Sequence, residues 1–414
     1  METVPLKAFA EVNPTSDGFS AVENGSNVTF LPLETIWPAG GGDFSRVIEY
    51  KKKGMSYTSY TRGDVLVPKI TPTFEAGRAM LANQGTDVGL ASTEVHVVRA
   101  LPNADARFLC YVLRSQPFLD EGAHNLQGVG NLRRISPQFL GDYPVIHTNR
   151  DTQRAIADYL DRETSEIDAM LDKLDGLGRL LEERRKNEIH QALQGSSNSQ
   201  IDTGFGPFPR IPSHWALASV SSLFKITNGD RGENYPKPSE IQETGIPFIN
   251  AGDLVNGRVS LDNAKFVSAE KYAKMGGAKL AKGDIIFCLR GSLGKFGIVS
   301  FDEGSLASSV CCLTSNGSYL PEMMAYVLSS NIIRDQITFS ETGSAQPNLG
   351  AEQLGMFKVP LPPLDEQERL VQHLDETTAR IDAMLAKTQQ LKDLLTERRS
   401  ALITAAVTGQ IEVH

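Results

Sequence analysis

Apolar residues fall seven apart along one stretch in the middle of the chain: Leu160, Ile167, Leu174 and Leu181, with Met170 and Leu177 on a neighbouring seam. A stripe of that period predicts one long helix whose apolar edge packs against another helix. The pattern returns 214 residues later in Leu374, Ile381, Met384, Leu391 and Leu395, with Thr388 standing where the first copy has Leu174. The copies align without a gap from Asp151 to Gly195 and from Asp365 to Gly409. Ile167-Asp168-Ala169-Met170-Leu171 and Glu183-Arg184-Arg185 recur as Ile381-Asp382-Ala383-Met384-Leu385 and Glu397-Arg398-Arg399. This is an internal duplication, with a period far longer than that of a solenoid repeat.

A helix of roughly 44 residues spans roughly 65 Å and cannot bury such a stripe alone. The economical partner is the other copy, packed antiparallel within the chain; a coiled coil between two chains is the alternative. Asp365 and Glu368 are placed to form a capping box after Pro360, Pro362 and Pro363, and Gly176 and Gly178 interrupt the first helix.

The stretches before each helix carry β-branched runs broken by Gly, Asp and Asn: Val65–Ile70, Val95–Val98, Lys279–Leu289 and Gly297–Phe301. They predict strands and turns, with short helices near Arg107–Leu113 and Glu322–Ser330. The two stretches echo one another: Gly63-Asp64-Val65-Leu66 with Gly283-Asp284-Ile285-Ile286, Tyr111-Val112-Leu113 with Tyr326-Val327-Leu328, and Asn131-Leu132 with Asn348-Leu349. Gly204–Pro212, with three prolines, reads as a linker into the second globular part, whose packing begins at His214-Trp215. The expected arrangement is therefore globular part, helix, globular part, helix: 1–148, 149–199, 200–360 and 361–414.

The net charge of -9 argues at first against a nucleic-acid partner. Residues 1–150 hold 14 Lys+Arg against 15 Asp+Glu, and 200–360 hold the same numbers. The helical stretches carry the excess, 7 against 11 in 151–199 and 6 against 9 in 361–414. Each nearly neutral globular part is free to present a basic face. The four cysteines form no Cys-x-x-Cys pair and read as reduced thiols. No apolar run approaches the roughly 20 residues that span a bilayer, and the amino-terminal residues do not read as a signal peptide. A cytoplasmic protein without a membrane partner is expected.

Catalytic signatures are missing. Gly291-Ser-Leu-Gly294-Lys295 has the wrong spacing for a phosphate loop, and Gly128-Val-Gly130 lacks the third glycine of a dinucleotide site. There is no Asn/Asp-Pro-Pro-aromatic run, no clustered Glu-x-x-His and no Gly-x-Ser-x-Gly elbow. These absences argue for a non-catalytic chain.

Globular–helix–globular–helix, with near-identical helices and divergent globular parts, resembles the DNA specificity subunit of type I restriction–modification systems. The resemblance rests on Leu364-Asp365-Glu366-Gln367-Glu368 after a proline run, on Thr-x-x-Ile-Asp-x-Met-Leu in both helices, and on Glu-Arg-Arg followed by Gly409-Gln410-Ile411. Ile211-Pro212-Ser213-His214-Trp215, Gly283-Asp284-Ile285 and Gly343-Ser344-Ala345-Gln346-Pro347-Asn348-Leu349 add to it. The first globular part departs from the pattern, lacking an Ile-Pro-x-x-Trp opening and a Gln-Pro-Asn loop.

The resemblance implies an α+β fold: two mixed α/β target recognition domains separated by two long antiparallel coiled-coil helices, with pseudo-twofold design. It implies double-stranded DNA as ligand, read as a bipartite site. The helices would act as spacers that dock two modification (methyltransferase) subunits, joined by restriction (translocase/nuclease) subunits. No cofactor is expected in this chain; S-adenosylmethionine, ATP and Mg would sit on the partners. Two readers also suit half-sites one helical turn, about 34 Å, apart.

Candidate DNA contacts in the second domain are Gln346 and Asn348, whose amides suit bidentate adenine contacts, and Arg290, Ser292 and Lys295 in a Gly-rich turn. In the first domain they are Lys69, Thr71, Thr73, Asn131, Arg133 and Arg134, with Lys51, Lys52 and Lys53 as a further basic run. Turn chemistry and a solvated surface account for the same residues without DNA. The docking stripe is expected at Leu160, Ile167, Met170, Leu174, Leu181, Leu374, Ile381, Met384, Leu391 and Leu395. The competing reading is a coiled-coil scaffold with two protein-binding domains, which salt-dependent DNA affinity distinguishes.

Overall fold

A computed structural model describes every residue except Met1, Ser16, Ala39, 53–55, Arg231, 341–348 and His414. The chain forms two compact units, Met1–Gly176 with Thr388–His414, and Leu177–Lys387. Each contains one globular part and a segment of both long helices.

In the first unit, one antiparallel sheet orders Ala10–Val12, Val95–Ala100, Val65–Pro68 and Met80–Leu81. A second orders Val47–Glu49, Asn27–Leu31, Val88–Ala91 and Thr58–Thr61, with its central pair parallel. Successive side chains of Val65–Pro68 enter different cores. Val65 and Val67 join Phe108, Leu109 and Leu160, while Leu66 joins Leu31, Ile36 and Tyr60. Burial on both faces explains why this strand reads as an unbroken apolar run rather than an alternation.

The second unit repeats the plan. Phe224–Asn228, Val310–Ser315, Ile285–Cys288 and Phe296–Ile298 stand in the same order and continue into Gly257–Val259 and Leu254–Val255. Its other sheet orders Lys265–Val267, Ile246–Ile249, Gly304–Leu306 and Lys279–Leu280, again with a parallel central pair. Ile285 and Phe287 enter one core, Ile286 and Cys288 the other. The Gly-Asp echo is one turn used twice: Gly63 and Gly283 have φ of 96° and 91°. The Asp64 and Asp284 carboxylates accept from the backbone N–H of Thr61 and Ala281.

The long helices run Arg150–Gln194, without interruption at Gly176 or Gly178, and Leu364–Val407. Within the first unit Asp168 pairs with Arg399 at 3.0 Å and Asp175 with Lys392 at 2.5 Å. One partner advances by seven residues as the other retreats by seven, which is antiparallel packing in heptad register. Within the second unit Arg185 pairs with Asp382 at 3.0 Å, the repeat counterpart of Asp168 with Arg399. The stripe is thus covered inside the chain, and pairing between chains is not needed to bury it.

Three local expectations are corrected. Gly204–Pro212 is not a linker: Gln200–Phe205 and Phe208–Pro212 form a hairpin, because Phe208 and Ile211 anchor it in the core. The Lys279–Leu289 run contains two strands, since Gly283 turns the chain between Leu280 and Ile285. The second long helix begins at Leu364, so Asp365 lies inside its first turn and pairs with Arg369 rather than capping.

Candidate nucleic-acid interface

In the second domain, Arg290, Ser292 and Lys295 lie exposed on the tight connection between Ile285–Cys288 and Phe296–Ile298. Gly291 and Gly294 take positive φ of 77° and 86°, which lets the chain reverse. Cys288 N–H donates to Lys295 O at 2.7 Å and Lys295 N–H to Ser292 O at 3.2 Å, so the turn is held from within. Among the described residues neither Arg290 nor Lys295 has an ion-pair partner. This turn therefore offers two uncommitted cations. Gln346 and Asn348 lie outside the described residues, but the following Leu349 is buried and donates its N–H to Leu289 O at 3.1 Å. Leu349 is thus tied to the base of the Arg290 turn.

The first domain places its cations differently. Arg134 makes two hydrogen bonds to Glu94 at 2.8 and 2.7 Å, and its guanidinium holds the Glu94 carboxyl below the usual range. Arg133 lies 3.6 Å from Glu75. Both side chains remain partly exposed, but a phosphate would compete with a carboxylate for each. Lys69 and Thr73 are half-buried, and Lys51 and Lys52 are exposed. Lys53 falls outside the described residues, and Asn131 is described only as part of the short helical turn Gly130–Leu132.

Thr71 is corrected as a contact residue: it is buried, its N–H donates to Arg133 O, and its hydroxyl has no partner among the described residues. The residues that project at this end are Val129, 89% exposed, and Leu132, 63% exposed, between Gly128 and Arg133. Nothing in the sequence pattern separates such apolar loop residues from core. The loop register also differs from the sequence echo. Ile135 donates its N–H to Lys69 O as Leu349 does to Leu289 O, so Ile135, not Leu132, corresponds to Leu349. Arg134 then holds the chain position of Asn348.

The expected docking stripe divides in two. Leu160, Ile167, Leu181, Leu374, Ile381 and Leu395 are buried, and Leu174 is half-buried. These six stabilise each unit from inside and are corrected as outward contacts. Met170, Met384 and Leu391 are exposed, together with Leu177, Leu180 and Leu394, which the heptad stripe alone does not single out for docking. These six stand one residue before heptad core positions and repeat between the helices as Met170/Met384, Leu177/Leu391 and Leu180/Leu394. The first unit exposes Met170, Leu391 and Leu394; the second exposes Met384, Leu177 and Leu180. Each unit thus carries a second apolar seam that its own packing leaves uncovered.

The chain is thus two domains of one sheet plan, each joined to a copy of one long helix. Residues 212–393 match the family described as type I restriction modification DNA specificity domain. The StySPI specificity subunit of Salmonella potsdam is 26% identical over 209 residues, 49% of this chain and 44% of that protein. Two solved structures share the fold. One, described as the structural basis underlying complex assembly and conformational transition of the type I R-M system, has a TM-score of 0.74 at 17% identity, covering 99% of this chain and 98% of that one. The other, the HsdS subunit from Thermoanaerobacter tengcongensis, has a TM-score of 0.57 at 18% identity, covering 99% and 97%. The family match covers residues 212–393, less than half of the chain, and the chain spans about half the length of the curated relative.

Among the described residues no helix is long and apolar enough to cross a membrane.

Proposed function

We propose that this protein is the DNA-recognition subunit of a type I restriction–modification complex. Each globular domain reads one half of a bipartite site in double-stranded DNA, and the helices hold the two halves apart. The exposed seams receive one modification subunit per unit, Met170, Leu391 and Leu394 on one side and Met384, Leu177 and Leu180 on the other. The equality of the two seams is what supports two equal partners. Methyl transfer, translocation and cleavage belong to partner subunits, as do S-adenosylmethionine, ATP and Mg, and the complex works in the cytoplasm.

The observation that carries the reading is a repeated two-sheet domain on a repeated helix, of which residues 212–393 match the DNA specificity domain. A coiled-coil scaffold would share the seams but would leave that match unexplained. The test is DNA binding by the chain reconstituted with its modification subunits, measured against salt and over randomised duplexes. Selection of a two-part sequence is expected, with log K falling linearly in log salt by about 0.9 per phosphate neutralised. Binding without sequence preference, or affinity indifferent to salt, contradicts the reading.

A further inference from the structure

The polar residues shared by the two helix copies form the same small constellation twice, once in each unit. In the first unit Gln153 is fully buried. Its Oε1 accepts from Asp105 N–H at 2.9 Å, at the start of the domain helix Ala106–Val112, and its Nε2 donates to Thr148 O at 3.1 Å. Six residues further along, the Tyr111 hydroxyl donates to Asp161 at 2.7 Å and lies 3.2 Å from Thr164 Oγ1. Thr164 in turn donates to Leu160 O at 2.7 Å.

In the second unit Gln367 is equally buried. It accepts from Leu320 N–H at 2.9 Å, before the domain helix Pro321–Ser329, and donates to Pro362 O at 2.9 Å and Ser318 O at 3.1 Å. The Tyr326 hydroxyl donates to Asp375 at 2.6 Å and lies 3.3 Å from Thr378 Oγ1, which donates to Leu374 O at 2.7 Å.

The surroundings have diverged while this constellation has not. Arg107 reaches Asp158 and Asp161 at 2.7 and 2.8 Å in the first unit. The matching positions in the second unit hold Glu322 and Gln372, which cannot form those pairs. A buried glutamine fixes the domain helix along the long helix. The tyrosine, held six residues away, fixes its rotation, because a hydroxyl hydrogen-bonds well only over a narrow range of distance and angle. Two fixed points on one rigid helix leave little freedom of tilt.

We propose that Gln153, Tyr111, Asp161 and Thr164, and Gln367, Tyr326, Asp375 and Thr378, are positioning residues for DNA recognition. Each set seats its domain at one defined place and angle on the helix, and so sharpens the distance between half-sites that the complex accepts. The proposal rests on the bipartite reading above. It assigns to the seats the precision of spacing, not the sequence read by either domain.

The test uses the full chain in complex with its modification subunits. Wild type, Tyr326→Phe and, independently, Tyr111→Phe are presented with sites that differ only in spacer length. A core variant, Val327→Ala, serves as a control for loss of stability alone. Wild type should prefer one spacer sharply. Each tyrosine variant should keep both half-site sequences but lose at least about fivefold of its preference over spacers one base pair longer or shorter. Val327→Ala should keep the preference whatever its loss in Tm. Folded tyrosine variants with undiminished spacer preference, or a core variant that loses it equally, overturn the seats. A wild-type complex that selects no bipartite site contradicts the functional reading instead.

Discussion

Two arginines that look alike in the sequence behave differently in the fold. Arg134 is clasped by Glu94, 40 residues earlier, whereas Arg290 is exposed and has no ion-pair partner among the described residues. Charge was legible at both positions, but the carboxylate partner was not, because long-range pairing leaves no local signature. Replacing Arg290 or Lys295 by Ala should therefore weaken binding to all sequences alike and lower the salt slope by about one for each phosphate no longer neutralised. A selective loss at one base pair in those variants would instead make the residue a base reader.

His96 provides a pH-dependent prediction at the same scale. It is buried, with Nε2 3.1 Å from Ile135 O and Nδ1 3.0 Å from Asn13 Nδ2, and Lys69 and Glu94 nearby. Burial, ahead of the other influences, lowers its pKa below the ordinary value of 6.5. The unfolded chain then binds the proton more readily, so stability should fall as pH drops below about 6.5 and level off below the folded value. Thermal unfolding of the first unit's domain against pH checks this. His96→Gln should flatten that part of the profile, and an unchanged profile would show that another group is responsible.

The long helices were the most legible elements, because a heptad stripe repeated over about six turns or more outweighs local propensity. Two short helices expected near Arg107–Leu113 and Glu322–Ser330 are present as Ala106–Val112 and Pro321–Ser329, but others were not legible. Gln116–His124 and Asn331–Ser340 are too brief for a clear period and are held by packing of Phe118, Ile332 and Ile333. The hairpin formed by Gln200–Phe205 and Phe208–Pro212 was concealed by its prolines. Polar identities between the helix copies were visible, but only the folded chain shows that Gln153 and Gln367 point into the globular parts. The two seams should separate cleanly on mutation. Leu160→Ala or Leu374→Ala, both fully buried, should cost about 2–5 kcal/mol of stability. Leu180→Ala or Leu394→Ala should change stability by less than about 0.5 kcal/mol yet weaken association with the modification subunit. Thermal unfolding and co-sedimentation measure the two effects. Equal destabilisation by both pairs would show that the outer seam is part of the chain's own packing.

At the scale of the whole molecule, duplication was readable from the sequence, and the repeated strand order shows how far it extends. The two domains keep the same sheet plan although little more than a Gly-Asp turn and a Tyr-Val-Leu run survives between them. The loops that would touch bases diverge most, so the sequence could indicate where reading occurs but not what is read. If the helices set the spacing, one heptad added after Asp172 and one after Leu394, facing positions in the first unit, keeps the register of the pair. Such a chain gains about 10 Å, close to three base pairs at about 3.4 Å each. It should methylate sites with correspondingly longer spacers and unchanged halves; retention of the original spacer would refute the helices as the measure of distance.

The central claim is that each globular domain reads one half-site on its own. The most direct measurement is the methylated motif of a host whose chain has residues 213–358 replaced by the corresponding segment of another specificity subunit. The account predicts that one half of the motif changes while the other half remains. A motif changed in both halves, or in neither, would contradict it.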